Sequence, residues 1–198
     1  MAVDIFDVDN IGSIVRRIVR ERGMVRLADF DVKPYKIPDG YQVSVFMFPP
    51  VVHIDDLRHV QASIQPIFQE AQRLGFPDNL STAFLESVLN AHQHGNQNQP
   101  NKKVTVAYKI TPAFVEIAVM DEGGIIDPEL IPFVLRHRES RHKGKGEAIN
   151  FYEFTRRQHP PGHNGTGTLF MHLYTDKVTY YKSEKGGLVV HLTKYKDK

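Results

Sequence analysis

Apolar residues recur along this chain with two periods. Leu57, Val60, Ile64, Ile67, Phe68, Ala71 and Leu74 fall at helical spacing and end at Gly75, which predicts an amphipathic helix with one buried side. Asp55 or Asp56 is placed to cap it, and Pro66 inside it predicts a kink or a break. Ser81 is placed to cap a second helix with an apolar face of Phe84, Leu85, Val88 and Leu89. Alternation takes over in "YQVSVFMF" (41–48), "KVTVAYKI" (103–110), "FVEIAVMD" (114–121), "KVTYYKS" (177–183) and "GLVVHLTK" (187–194), the pattern of half-buried strands. "TPA" and "EKG" join them into hairpins, and a short helix is expected over 169–174. Residues 128–165 carry much Arg, Lys, His and Gly and read as irregular. The order predicts an α+β fold: a two-layer sandwich whose mixed, mostly antiparallel sheet is covered by helices on one face.

Residues 1–40 read as an N-terminal helical extension and linker, and 41–198 as the main domain. In the extension Ile11, Ile14, Val15, Ile18 and Val19 share a helical side, opposite Arg16, Arg17, Arg20 and Arg22, and Gly23 is a plausible stop. Such a helix packs on the domain or on a second subunit. It is short and lacks Trp for a membrane surface. "KPYKIPDG" (33–40) looks like the linker.

Composition narrows the function. A hydrophobic content of 41% in 198 residues is enough for a core. The net charge of +2 is spread along the chain and gives no argument for direct nucleic-acid contact. The absence of cysteine removes disulfides, thiol catalysis and cysteine-ligated zinc. The start "MAVDIFDVDN" has no signal-peptide pattern, and no apolar run approaches the roughly 20 residues that span a bilayer. The expectation is a cytoplasmic protein with no membrane contact.

Three stretches carry chemistry. In "ESVLNAHQHG", Glu86 and Asn90 are one helical turn apart on one edge, where a carboxylate and an amide suit a hydrated Mg²⁺ and a water. In "VMDEGGIIDP", a strand delivers Asp121 to a tight turn at Gly123 and Gly124, a place for a carboxylate to accept from an exocyclic amine such as that of adenine. In "PGHNGTGTLFM", Gly165 and Gly167 precede a helix, whose N-terminus and loop amides favour phosphate. Each alone has a plain structural reading: a solvated helix edge, a turn closing a strand, a flexible loop. The histidines do not suggest a metal centre. His92 and His94 diverge on a helix, and zinc needs three or four converging ligands.

In this order, with these elements between them, the three stretches resemble the N box and the two glycine boxes of the GHKL (Bergerat-fold) ATPase superfamily. The nearest likeness is to the anti-sigma-factor serine/threonine kinases, with "ESVLNAHQHG", "TDKVTYY" and "GGLVVHLTK" following that family's pattern over about residues 41–194. The resemblance implies ATP and Mg²⁺ as cofactors, Glu86 as general base, and Asn90 as Mg²⁺ ligand. It implies nucleotide contacts at Asn90, His94, Asp121, Gly123, Gly124, Gly165, Thr166, Gly167 and Thr168. It also implies an ATP lid at about 128–165, whose Arg141, Lys143, Lys145, Arg156 and Arg157 are candidates to reach the γ-phosphate. The implied partners are a STAS-type anti-sigma antagonist, phosphorylated on serine or threonine, and a sigma factor; family members commonly form homodimers. Two departures stand out. Ile125 takes the place of the family's second glycine in the turn after Asp121, and the lid is long. A nucleotide-gated binding module, or an ATPase without kinase activity, is the alternative.

Overall fold

The computed structural model describes residues 2–143, 149–158 and 165–196, and the side chains of residues 140–143 are not among those described. Arg141, His142 and Lys143 therefore have no described side chain, and Lys145, His159 and His163 lie outside the described residues.

The alternating segments form the strands β2 (Gln42–Phe46), β3 (Val104–Ile110), β4 (Phe114–Met120), β6 (Lys177–Lys182) and β7 (Leu188–Tyr195). They make one five-stranded sheet in the order β2-β3-β4-β7-β6 with every neighbouring pair antiparallel. The mixed character expected of the sheet reduces to a single parallel bridge, Tyr35 to Ser183. Register decides which residues share a face. Val106 lies opposite Val119, Val119 opposite Val190, and Val190 opposite Tyr180. That row is buried under the helices, because side chains two apart on a strand point the same way.

The helical layer contains α2 (Ile54–Arg73), α3 (Asn79–Leu89), α4 (Leu130–Lys143) and α6 (Gly167–Tyr174), with the short α5 (Phe151–Thr155). One core joins α2 and α3 to β3 and β4 through Val60, Ile64, Phe68, Phe84 and Val88. A second joins α3, α4 and α6 to β6 and β7 through Ala83, Ile131, Val134, Met171 and Tyr180. Val43 and Val45 of the edge strand β2, on the opposite face, are half exposed.

Several local expectations change. His53, not an aspartate, sits at the N-cap of α2, while the Asp56 carboxylate accepts from the His53 and Val52 N–H groups (2.8 and 3.0 Å) and is held below its usual pKa by them. α2 runs through Pro66 without a break, since the buried stripe on both sides of the proline outweighs one missing hydrogen bond. Asp78 is the N-cap of α3, and the Ser81 hydroxyl donates back to its carbonyl (2.6 Å). The stretch 128–165, read as irregular, holds the fourteen-residue α4 and α5. Pro132 in the first turn of α4 removes no helical bond, because first-turn N–H groups have no partner within the helix.

The N-terminal segment belongs to the second core. Ile5, Phe6, Val25, Leu27 and Phe30 are all buried there, as are Ile11, Val15 and Ile18 of α1 (Ile11–Arg22). Gly23 closes α1 at φ +73°. The two-residue β1 (Val25–Arg26) then pairs antiparallel with β5 (Ile125–Ile126). Among the described residues no helix is long and apolar enough to cross a membrane.

Candidate functional site

α3 does not end abruptly at Leu89. It widens into a π-turn over Asn90–Gly95, with the Asn96 N–H bonding back to the Ala91 carbonyl (2.7 Å). π-turns interrupt helices at functional sites because they re-aim side chains without ending the element. Asn90 keeps helical backbone at the junction, so Glu86 and Asn90 stay on one edge.

The N-terminus of α6 meets that edge. A Cβ on Gly167 would stand 2.5 Å from Glu86 Oε2 and 3.5 Å from the Asn90 side-chain nitrogen. Glycine lets the start of α6 approach the Glu86 carboxylate without displacing it. The first and third stretches are thereby brought together. Burial pushes the Glu86 pKa up, and among the described residues no cation lies near enough to offset it. The residue types suit a hydrated Mg²⁺: an oxygen donor at Asn90 beside a carboxylate that has no counter-charge among the described residues. Among the described residues no three His, Asp or Glu side chains converge on a metal position, so protein ligands there would be shared with phosphates and water.

Asp121 forms the other half. It is 5% exposed at the end of β4, its Oδ1 accepting from the Gly123 and Leu188 N–H groups (2.8 and 3.0 Å). Burial raises its pKa to about 6, against the pull of those two bonds. Three glycines fit around it. A Cβ on Gly95 would collide with the carboxylate, one on Gly187 with the Asp121 carbonyl, and one on Gly123 with the Gly95 carbonyl. Gly95 ends the π-turn that begins at Asn90, so one short turn links the Glu86–Asn90 edge to Asp121. Asn96 stitches the same corner, accepting from the Glu122 N–H (2.8 Å) and donating to the Lys103 carbonyl (3.0 Å).

The remaining residues are placed as follows. Gly124 sits at φ +88°, and its carbonyl accepts from Leu27 N–H (2.8 Å). Gly165 sits at φ +66° against the Tyr152 ring, its carbonyl accepting from Phe151 N–H (2.8 Å). Thr166 is the N-cap of α6 without a side-chain capping bond, and Thr168 is buried in its first turn. His94 projects from the π-turn to the surface. Arg157 is held by Asp127 (2.5 and 3.3 Å) and lies over the Phe151 ring, while Arg156 is exposed.

Gly95, Gly187 and Tyr152 were not singled out by the sequence. Gly95 and Gly187 had a signal, as glycines at a helix end and in a hairpin. Tyr152 had none, because its contact with Gly165 is tertiary. His92, buried and bonded to the Pro49 carbonyl (2.9 Å), is a structural residue between the π-turn and the end of β2.

The sequence matches no curated protein. It matches the family model of the histidine kinase-like ATPase domain over residues 53–194, the segment that runs from the start of α2 to the last strand and contains the N box and both glycine turns. With the α+β sandwich and the converging glycines, this supports an ATP-binding, GHKL-type function: the chain belongs to the histidine kinase-like ATPase domain family.

Proposed function

We propose that the protein is an ATP-dependent serine/threonine kinase of the anti-sigma type, acting on a small STAS-type antagonist and sequestering a sigma factor. The observation that carries this reading is Glu86: half-buried, set against the first residue of α6, raised in pKa by burial, and without a cation partner among the described residues. A carboxylate in that state is a better base than an exposed one.

Adenine would enter beside Asp121, whose Oδ2 takes no hydrogen bond among the described residues and would accept from the amine. The amides of 165–168 and the α6 N-terminus would receive the phosphates. Glu86 would take the proton of the incoming serine or threonine hydroxyl as its oxygen bonds to the γ-phosphorus and the bond to the β-phosphate oxygen breaks, releasing ADP. Asn90 would hold Mg²⁺, which supplies charge stabilisation to the phosphates when bound. His94, exposed on the π-turn, and Thr166 and Thr168 would line the same pocket.

The division after residue 40, a cytoplasmic location and a homodimer belong to the same proposal. The edge strand β2, with Val43 and Val45 exposed and Met47 exposed just after it, is the surface that supports the last. The second reading, a nucleotide-gated binding module, is favoured by the Asp127–Arg157 pair, which occupies one of the lid cations that would otherwise meet the γ-phosphate.

Glu86→Gln separates the readings. Under the kinase reading it keeps ATP binding and loses phosphate transfer to a serine-containing antagonist by at least about a hundredfold. Full transfer by the variant would remove Glu86 from the mechanism, and its absence in the wild type would leave the binding module.

A further inference from the structure

We propose that residues 4–30 are a positioning element of the nucleotide site, acting through the Leu27–Gly124 hydrogen bond and the Asp4–Arg138 ion pair. The inference rests on the ATP-binding reading but concerns residues outside the matched family segment, which begins at 53.

Two attachments carry it. The first is at the turn after Asp121. Gly124 sits at φ +88°, its carbonyl accepts from Leu27 N–H (2.8 Å), and Ile125 and Ile126 pair with Arg26 and Val25. Ile125 is 47% exposed, so packing of its own side chain does not hold the turn. The bonds to β1 do. The second attachment is on α4, which leaves this turn. Arg138 donates to Asp4 (2.6 Å), Asp7 (3.1 Å) and the Val178 carbonyl (3.0 Å), and lies over the rings of Phe6 and Tyr180 (5.5 and 5.8 Å). The two attachments bracket residues 124–138, the segment joining the Asp121 turn to the region that returns at Tyr152 and Gly165.

A role in holding the fold alone does not account for the ion pair. The side chains of Asp4 and Arg138 are 5% and 19% exposed. A buried pair is commonly no more stabilising than apolar residues of the same volume, but it demands one geometry. Ile5, Phe6, Val25, Leu27 and Phe30 already anchor the segment by burial. What the pair and the Leu27 bond add is a fixed position for α4 and for the turn. Asp4 and Arg138 touch neither nucleotide nor reacting atoms, and are positioning residues.

The test is the double variant Asp4→Asn with Arg138→Met. Asparagine keeps the bond to Phe6 N–H (2.9 Å in the native chain), and methionine keeps the contact with Phe6 and Tyr180. Two quantities are measured on the full chain: the dissociation constant for Mg-ATP by calorimetry, and amide exchange over residues 123–127. The melting temperature is expected to stay within a few degrees of the wild type. ATP binding is expected to weaken about tenfold, the cost of re-ordering one backbone residue, with faster exchange over 123–127. Arg138→Lys, which keeps the charge and loses the fork of donors, is expected to fall between, and it serves if the double variant does not fold. Unchanged affinity and unchanged exchange in a folded variant overturn the proposal. Failure of the wild type to bind ATP overturns the functional reading instead, and the exchange rates alone then decide for or against the positioning role.

Discussion

Asp121 is where stability and function pull in opposite directions. Its pKa of about 6 lies above that of an ordinary aspartate, so the folded state prefers the protonated form. The sign follows: the folded state binds a proton that the unfolded chain releases, stability is greatest below about pH 4, and it is lost as pH rises through about 6. At pH 7 the ionised carboxylate costs the empty protein about 3 kcal/mol. Asp121→Asn keeps an oxygen for the Gly123 and Leu188 N–H groups and removes that cost. Urea unfolding at pH 7 should therefore show the variant more stable by about 2–3 kcal/mol, with the gain disappearing near pH 4. ATP should behave oppositely. An adenine amine donates to a carboxylate, so wild-type affinity should fall as pH drops below about 6. Gly167→Ala tests the other half of the site. Its Cβ would stand 2.5 Å from Glu86 Oε2, the end of a flexible side chain that can move aside. The fold should survive with a loss under about 1 kcal/mol, while phosphate transfer falls far more than ATP affinity.

α4 shows how much of an element a sequence displays. Leu130, Ile131, Phe133, Val134 and His137 make a helical stripe, and all but Leu130 are buried. The Arg, His and Lys residues between them gave the segment the composition of a loop, and the stripe is short. The π-turn was hidden differently: no local propensity marks it, and it exists because Gly95 must reach the Asp121 carboxylate. The long strands, α2 and α3 were legible because their periods are sustained over many residues and each buries one side. Phe133 tests whether α4 is a core element. It is fully buried, with His137, Phe151 and Phe154 around it at 4.5–5.3 Å. Phe133→Ala should cost about 3–5 kcal/mol in chemical denaturation; a loss near zero would mean that α4 packs loosely. The exposed Arg157–Asp127 pair predicts the reverse. Arg157→Ala should change stability by less than about 1 kcal/mol, so any large effect on ATP binding would come from the site.

Across the whole molecule, the sequence displayed the strands, the two glycine turns and the Glu86–Asn90 edge, because each is local. It did not display that residues 5–30 complete the second core and brace the turn after Asp121, since the contacts with that turn join residues roughly a hundred positions apart. A molecule built this way should respond to nucleotide as a unit. At a hundredfold excess over its dissociation constant, ATP should add about 2.7 kcal/mol to the unfolding free energy, read as a rise in melting temperature. The most direct measurement is calorimetric titration of Mg-ATP into the wild type and into Asp121→Asn. Saturable binding by the wild type that is lost in the variant, with both proteins folded, is the predicted result. Equal binding by both would place the nucleotide elsewhere, and no binding by the wild type would contradict the account.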